Sequence, residues 1–298
     1  MGEARNHQGY TDGYWWSGDG VRLHYRDYGG GEGRPPLICL PGLTRNARDF
    51  EGLAARLSPD WRVIVVEFRG RGESGYAKDP MSYVPISYLH DVERLLDELA
   101  IPRFIAVGTS LGGIVTMLLA AVDAPRVAAA VLNDVGPELE AAGLKRIRSY
   151  VGRGNWHPTW MHAARALMDS NVAVYPRYVI EDWLAMAKRL YRLNTAGRVV
   201  LDYDMKISEP FRLPADQGGP DMWRAVDALA GKPVLVVRGG HSDVLSARTA
   251  EMMTARLGAE AALVTVPDVG HAPTLDEPAA AAAIDALLDR VAREPSSV

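Results

Sequence analysis

The pentapeptide Gly108-Thr109-Ser110-Leu111-Gly112 fits the pattern Gly-x-Ser-x-Gly. A serine hydroxyl is a poor nucleophile at neutral pH. It needs a base to take its proton and a carboxylate to orient that base. Candidates for both lie further along the chain. The apolar run 234–237 leads through Arg238-Gly239-Gly240-His241-Ser242 to Asp243, and the run 263–266 leads through Pro267-Asp268-Val269-Gly270 to His271. Serine, acid and histidine in this order could attack a carbonyl, hold the acyl group on Ser110 and pass it to water. The competing reading of the pentapeptide is an ordinary strand–helix turn with two glycines and a capping serine. The two partners at matching strand ends favour the chemical reading.

Rivals exist for each partner. Asp134 follows the apolar run 127–132 and also stands at a strand's C-terminal end, so it competes with Asp243, the expected acid. His241 precedes Asp243 by two residues and would need a different loop geometry. Asp268 and Asp276 sit so near His271 in the chain that they read as loop-capping residues. A developing oxyanion needs donors placed in advance. The backbone N–H of Leu111, directly after the nucleophile, is one candidate. The N–H of Leu43, in the turn Pro41-Gly42-Leu43-Thr44 after the run 37–40, is the other.

These residues need strand ends to carry them. Alternating Val21, Leu23 and Tyr25 predict a half-buried strand over 21–28. Short continuous apolar runs at 37–40, 63–66, 104–107, 127–132, 234–237 and 263–266 predict strands covered on both faces. Helical spacing recurs between them: Tyr88, Val92, Leu95, Leu96 and Leu99, ahead of Pro102, then 111–122, 246–257 and 277–291. Strand–helix alternation predicts an α/β fold with a mostly parallel sheet and helices on both faces. The serine pentapeptide falls between the strand 104–107 and the helix 111–122, the strand–turn–helix setting of a nucleophile elbow.

The alternation stops over 136–217, where Ile180, Trp183, Leu184, Ala187, Leu190 and Tyr191 form one helical stripe. This predicts an inserted helical segment lying over the sheet edge as a cap. Pro210, Pro214 and Gly218-Gly219-Pro220 mark its exit. The expected organisation is an N-terminal arm at 1–20, a core made of 21–135 and 218–298, and the cap at 136–217.

Composition limits the alternatives. The chain has 298 residues, 48% hydrophobic and 23% charged, which suits a packed globular protein and excludes global disorder. A net charge of -4 argues against a strongly basic nucleic-acid binder. The single cysteine, Cys39, can form neither an intrachain disulfide nor a four-cysteine zinc site, and it reads as an inert core thiol. No apolar run approaches the roughly 18 residues of a membrane span, and the N-terminus lacks the basic start and apolar run of a secretory signal. A cytoplasmic protein without membrane or nucleic-acid partners is expected.

The turn Leu40-Pro41-Gly42-Leu43, the segment Phe68-Arg69-Gly70-Arg71-Gly72-Glu73-Ser74, Gly108-Thr109-Ser110-Leu111-Gly112-Gly113, Ser242-Asp243 and Gly270-His271-Ala272-Pro273 together resemble the α/β-hydrolase fold family, in its chain order and over about residues 20–292. The resemblance is to its cofactor-free serine hydrolase branch of esterases, enol-lactonases, perhydrolase-type enzymes and carbon–carbon bond hydrolases. It implies an eight-stranded sheet and a helical cap after the sixth strand. Two positions depart from the family pattern: Pro41 stands where a histidine is common, and Glu67 where an aspartate is common. A serine at 110 counts against the branches that use a carboxylate nucleophile.

The resulting expectation is hydrolysis of a carboxylic ester or lactone of a small, partly apolar molecule, with Ser110, His271 and Asp243 as the triad and no cofactor or metal. Carbon–carbon bond hydrolysis of a dienoate or diketone is the alternative, and a non-catalytic ligand-binding member of the fold a third possibility. Gly70-Arg71-Gly72-Glu73-Ser74-Gly75 matches a dinucleotide fingerprint, but the loop-like Tyr76-Ala77-Lys78-Asp79-Pro80 follows where a helix would have to start. His157 and His162 are five apart and lack an acidic third ligand. Trp156, Trp160, Met161, Met168, Tyr175, Tyr178, Trp183, Met186 and Tyr191 either pack the cap or line its pocket. Arg146, Arg148, Arg153, Arg165 and Lys188 are either solvated or available to a substrate carboxylate.

Overall fold

The computed structural model describes residues 9–31, 33–212 and 220–293. In chain order the elements are β1 (Thr11–Trp16), β2 (Arg22–Asp27), β3 (Leu37–Leu40), α1 (Glu51–Leu57), β4 (Val63–Glu67), α2 (Pro85–Glu98), β5 (Phe104–Thr109), α3 (Leu111–Val122) and β6 (Val127–Asn133). They continue with α4 (Ala141–Tyr150), α5 (Trp160–Asn171), α6 (Ile180–Leu190), β7 (Tyr191–Leu193), β8 (Val199–Leu201), α7 (Met222–Asp227), β9 (Val234–Gly239), α8 (Ala247–Leu257), β10 (Ala261–Val266) and α9 (Pro278–Arg293). Eight strands form one sheet in the order β1-β2-β4-β3-β5-β6-β9-β10. The pairs β1–β2 and β2–β4 are antiparallel, and the rest of the sheet is parallel.

Successive side chains of a strand point to opposite faces, so the apolar runs feed two cores. Ile38 and Leu40, Ile64 and Val66, Phe104 and Ala106 face one side, where they meet α2, α3, α7 and α8. Leu37 and Cys39, Val63 and Val65, Ile105 and Val107 face the other, where they meet α1, α5, α6 and α9. Burying each Val or Leu in such a core contributes about 1.5–3 kcal/mol. That two-sided burial is why the central strands read as continuous apolar runs. The edge strand β10 is only partly covered, and its Leu263 remains exposed.

Two differences from the sequence reading have local causes. Thr11–Trp16 is a strand rather than part of an arm. Its Trp15 is buried and donates its indole N–H to the Asp91 carbonyl at 2.8 Å. Gly13 interrupts the side-chain alternation there because the Tyr25 ring lies over it, leaving no room for a Cβ. Within the insertion, Tyr191–Leu193 and Val199–Leu201 form a two-stranded hairpin, so the helical stripe ends at Leu190 instead of Tyr191. Gly197, at φ +70°, makes its turn. Pro214 and Gly218-Gly219 lie outside the described residues.

Candidate active site

Ser110 joins β5 to α3 at φ 52° and ψ −115°. A non-glycine residue in that region carries on the order of 1–3 kcal/mol of backbone strain, held by its surroundings. The surroundings are tight. A Cβ on Gly108 would lie 2.5 Å from the Gly112 carbonyl, a Cβ on Gly112 would overlap the Leu40 carbonyl oxygen, and a Cβ on Gly113 would overlap Val135. The Ser110 N–H donates to the Asn133 carbonyl at 2.9 Å, extending the β5–β6 ladder by one bond. The glycines therefore let α3 start hard against the sheet, and the turn presents the Ser110 side chain at the strand's C-terminal end.

The His271 ring bridges two groups. Its Nε2 is 2.9 Å from Ser110 Oγ, and its Nδ1 is 2.8 Å from Asp134 Oδ2. A carboxylate only accepts, so Nδ1 carries the ring hydrogen and Nε2 offers a lone pair to the serine hydroxyl. Asp134 is fully buried, and its carboxylate also accepts the Gly239 N–H at 2.8 Å and the Ser242 hydroxyl at 2.7 Å. Three donors thus compensate the desolvation of this charge.

The expectation that Asp243 would orient the histidine is corrected by this geometry. The Asp243 carboxylate is held bidentately by Arg146, Nε to Oδ2 at 2.6 Å and Nη2 to Oδ1 at 2.7 Å. That guanidinium holds the Asp243 carboxyl below its usual range. Strands β6 and β9 are neighbours, so Asp134 and Asp243 both emerge at one sheet edge. Asp134, one residue beyond β6, adopts φ 54°, and its N–H continues the ladder to the Val237 carbonyl. Ser242 supplies the hydroxyl that supports Asp134, and it accepts the N–H groups of Val244 and Leu245. Chain order could not separate the two acids, since both lie between Ser110 and His271.

The loop after His271 is pinned on both sides. The Tyr175 hydroxyl donates to the Ala272 carbonyl at 3.0 Å, and Asn133 Nδ2 donates to the Pro273 carbonyl at 2.8 Å. Sequence reasoning missed Asn133, and it offered Tyr175 as packing or pocket lining but not as a support of this loop. A Cβ on Gly270 would overlap Val174, so the segment following α5 rests directly on the histidine loop.

Among the described residues, neither the Leu43 nor the Leu111 N–H donates to a backbone carbonyl. Leu111 opens α3, where the first N–H groups have no intrahelical partner. Gly42 brings the Leu43 turn beside Ser110, and a Cβ there would lie 3.8 Å from the serine Cβ. The Leu43 carbonyl is gripped by Arg71. Glu67, the departure from the family pattern, is buried and accepts the N–H groups of Ala47 and Glu73 together with His24 Nδ1. It ties the Leu43 loop to the Arg71 loop. No helix opens at the Gly70–Gly75 turn; the next element is a short 3₁₀ turn at Pro80–Ser82.

Ser110 and His271 line a cavity of about 460 Å³ whose opposite wall comes from the segment between β6 and β9. Tyr175, Met186 and Tyr191 reach it, whereas Trp183 is fully buried in the packing and Trp156 is exposed. Arg45, Arg146, Arg153 and Arg189 also line it. No group of three or more His, Cys, Asp or Glu side chains is placed to hold a metal ion among the described residues, and no helix there is long and apolar enough to cross a membrane.

This sheet, turn and site define an α/β hydrolase. The model of the alpha/beta hydrolase family matches residues 37–284, and the chain belongs to that family of hydrolytic enzymes. An α/β hydrolase from Novosphingobium aromaticivorans has a solved structure that superposes with a TM-score of 0.91 at 59% identity, covering 95% of this chain and 99% of that one. The 3-hydroxybutyrate-oligomer hydrolase of Cupriavidus necator is 36% identical over 265 residues, 87% of this chain and 89% of that protein. The 2-(acetamidomethylene)succinate hydrolase of Mesorhizobium japonicum is 29% identical over 251 residues, 84% and 85% of the two chains.

Proposed function

We propose that this protein is a serine hydrolase of carboxylic esters, and that its substrates are short oligoesters of a hydroxy acid. The observation that carries the mechanism is the continuous chain from Ser110 Oγ through His271 to the Asp134 carboxylate, with both links under 3 Å. The likeness to the 3-hydroxybutyrate-oligomer hydrolase supports the substrate class.

Ser110 Oγ attacks the ester carbonyl carbon while its proton passes to His271 Nε2. Asp134 stabilises the imidazolium and keeps the ring oriented. The N–H groups of Leu43 and Leu111 receive the developing oxyanion. Collapse breaks the C–O bond, and Nε2 returns the proton to the departing alcohol. Water then attacks the acyl-enzyme, gives its proton to Nε2 and releases the acid, and Ser110 Oγ leaves with that proton. The insertion acts as a cap that encloses this chemistry over the cavity.

A fluorophosphonate probe should label Ser110. Ser110→Ala should lower the hydrolysis of a 3-hydroxybutyrate dimer by several decades, up to about 10⁶-fold. Labelling at another residue, or a Ser110→Ala variant near wild-type activity, overturns the assignment. Carbon–carbon hydrolysis would use the same side chains; turnover of a dienoate ring-cleavage product without turnover of esters would replace the ester reading with that one.

A further inference from the structure

We infer that Arg153 anchors the free carboxylate of the substrate, so that the enzyme takes oligoester acids rather than neutral esters. This deepens the ester-hydrolase reading and rests on it. Of the four arginines that line the cavity, three are already matched. Arg45 pairs with Asp49, Arg146 with Asp243, and Arg189 with Asp276. Among the described residues Arg153 pairs with no carboxylate. Its charge is therefore the one this wall leaves unmatched there, and it lies in the cavity that holds Ser110.

The backbone beneath Arg153 is built to hold its place. It stands between two glycines. Gly152 has φ +70°, and a Cβ there would overlap the Ser208 side chain. A Cβ on Gly154 would overlap Leu201 and lie 2.9 Å from the end of Met205. The Arg153 N–H donates to the Tyr150 carbonyl at 3.0 Å, which closes the turn onto the end of α4. The segment packed under the glycines is itself fastened to the core, since the Asp204 N–H donates to the Gly70 carbonyl at 2.8 Å. A planar guanidinium on a fixed backbone suits a carboxylate, which it can bind with two parallel hydrogen bonds.

The chemistry of the substrate fits this position. In a linear hydroxy-acid oligomer the free carboxylate always belongs to the alcohol side of whichever ester bond is cut. Arg153 would thus bind the leaving half, while Ser110 keeps the acyl half. Apolar neighbours such as Ile147, Leu167 and Leu201 line the same cavity and suit the alkyl parts between the two ends.

The test compares a 3-hydroxybutyrate dimer as the free acid with its methyl ester. Both are titrated calorimetrically into the full-length Ser110→Ala protein, and both are assayed with the wild-type enzyme. The free acid should bind about two- to fivefold more tightly than the methyl ester, the range for an ion pair at an exposed guanidinium. Adding Arg153→Gln should bring the ratio to about one, and Arg153→Lys should retain part of the preference. Equal binding of acid and methyl ester by Ser110→Ala, or a ratio untouched by Arg153→Gln, overturns the inference. Failure of the ester-hydrolase reading looks different: the acid would still bind preferentially, but the wild-type enzyme would not cleave it.

Discussion

Arg71 and Leu43 are joined by a fork of hydrogen bonds, with the guanidinium Nε and Nη2 donating to the one Leu43 carbonyl at 2.9 and 2.7 Å. The remaining guanidinium nitrogen, Nη1, donates to the Arg69 carbonyl and the Tyr88 hydroxyl at 2.6 and 3.0 Å. Arg71 is completely buried, and among the described residues it pairs with no carboxylate. A buried cation held only by neutral acceptors costs free energy to desolvate. What it gains is a fixed Leu43 peptide, beside the N–H proposed as an oxyanion donor.

Arg71→Met should therefore lower kcat by about 10²-fold, near the effect of losing one oxyanion donor, with a smaller change in KM. Arg71→Lys should recover only part of the loss, because an ammonium cannot make the fork. Steady-state kinetics alongside thermal melting separate this from unfolding. A variant of unchanged melting temperature and unchanged kcat would show that the Leu43 turn holds itself.

The two aspartates make opposite predictions. Asp134→Asn should reduce kcat by about 10⁴-fold, the scale on which a triad acid acts by fixing the histidine tautomer. Asp243→Asn should change kcat by no more than about threefold, since it loosens a partly exposed ion pair with Arg146. Reversal of this ranking would return the acid's role to Asp243.

Gly108→Ala should destabilise the fold by about 1–3 kcal/mol, the range for forced overpacking, because its Cβ would press on the Gly112 carbonyl at 2.5 Å. The elbow must open to relieve that contact, so fluorophosphonate labelling of Ser110 should slow as well. Chemical denaturation and labelling rates check both parts. Wild-type stability would mean that α3 can slide without cost.

Stability should carry a histidine-dependent pH profile. Burial disfavours the charged form of the His24 ring, but Glu67 at 2.9 Å and Asp12 at 2.9 Å outweigh it and raise its pKa above the usual 6.5. A folded-state pKa raised in this way gives stability that is complete below about pH 6.5 and is lost as pH rises through the folded value. Glu67 works in the opposite sense. Burial alone would raise its carboxyl, yet the contact with His24 and the N–H groups of Ala47 and Glu73 lower it. Its contribution is lost only as pH falls through that depressed value. Urea midpoints between pH 6 and 9 should decline in the wild type and stay flatter in His24→Gln. Parallel slopes would assign the decline to other groups.

Much of this architecture could be read directly from local chemistry. The continuous apolar runs identified the buried strands because both faces of the sheet are covered, and Gly108 and Gly112 marked the turn where β5 and α3 nearly touch. β1 escaped because Gly13 breaks the alternation for a reason that lies on another strand, the ring of Tyr25. The hairpin of β7 and β8 escaped because each strand has three residues, too few for a period to show.

The strand-end positions of Ser110 and His271 are properties of the sequence, set by where apolar runs stop and glycines begin. The choice between Asp134 and Asp243 is not. Both are aspartates just beyond a strand, both precede His271, and their strands lie side by side. Their partners decide between them. Arg146, from α4, takes Asp243, while Gly239 at the end of β9 and Ser242 in the loop after it support Asp134. Such pairings join groups about 100 residues apart in the chain, 97 for Arg146 and Asp243 and 105 for Asp134 and Gly239. Hydrogen bonds act over roughly 3 Å, so only the folded arrangement of the sheet edge could select among them.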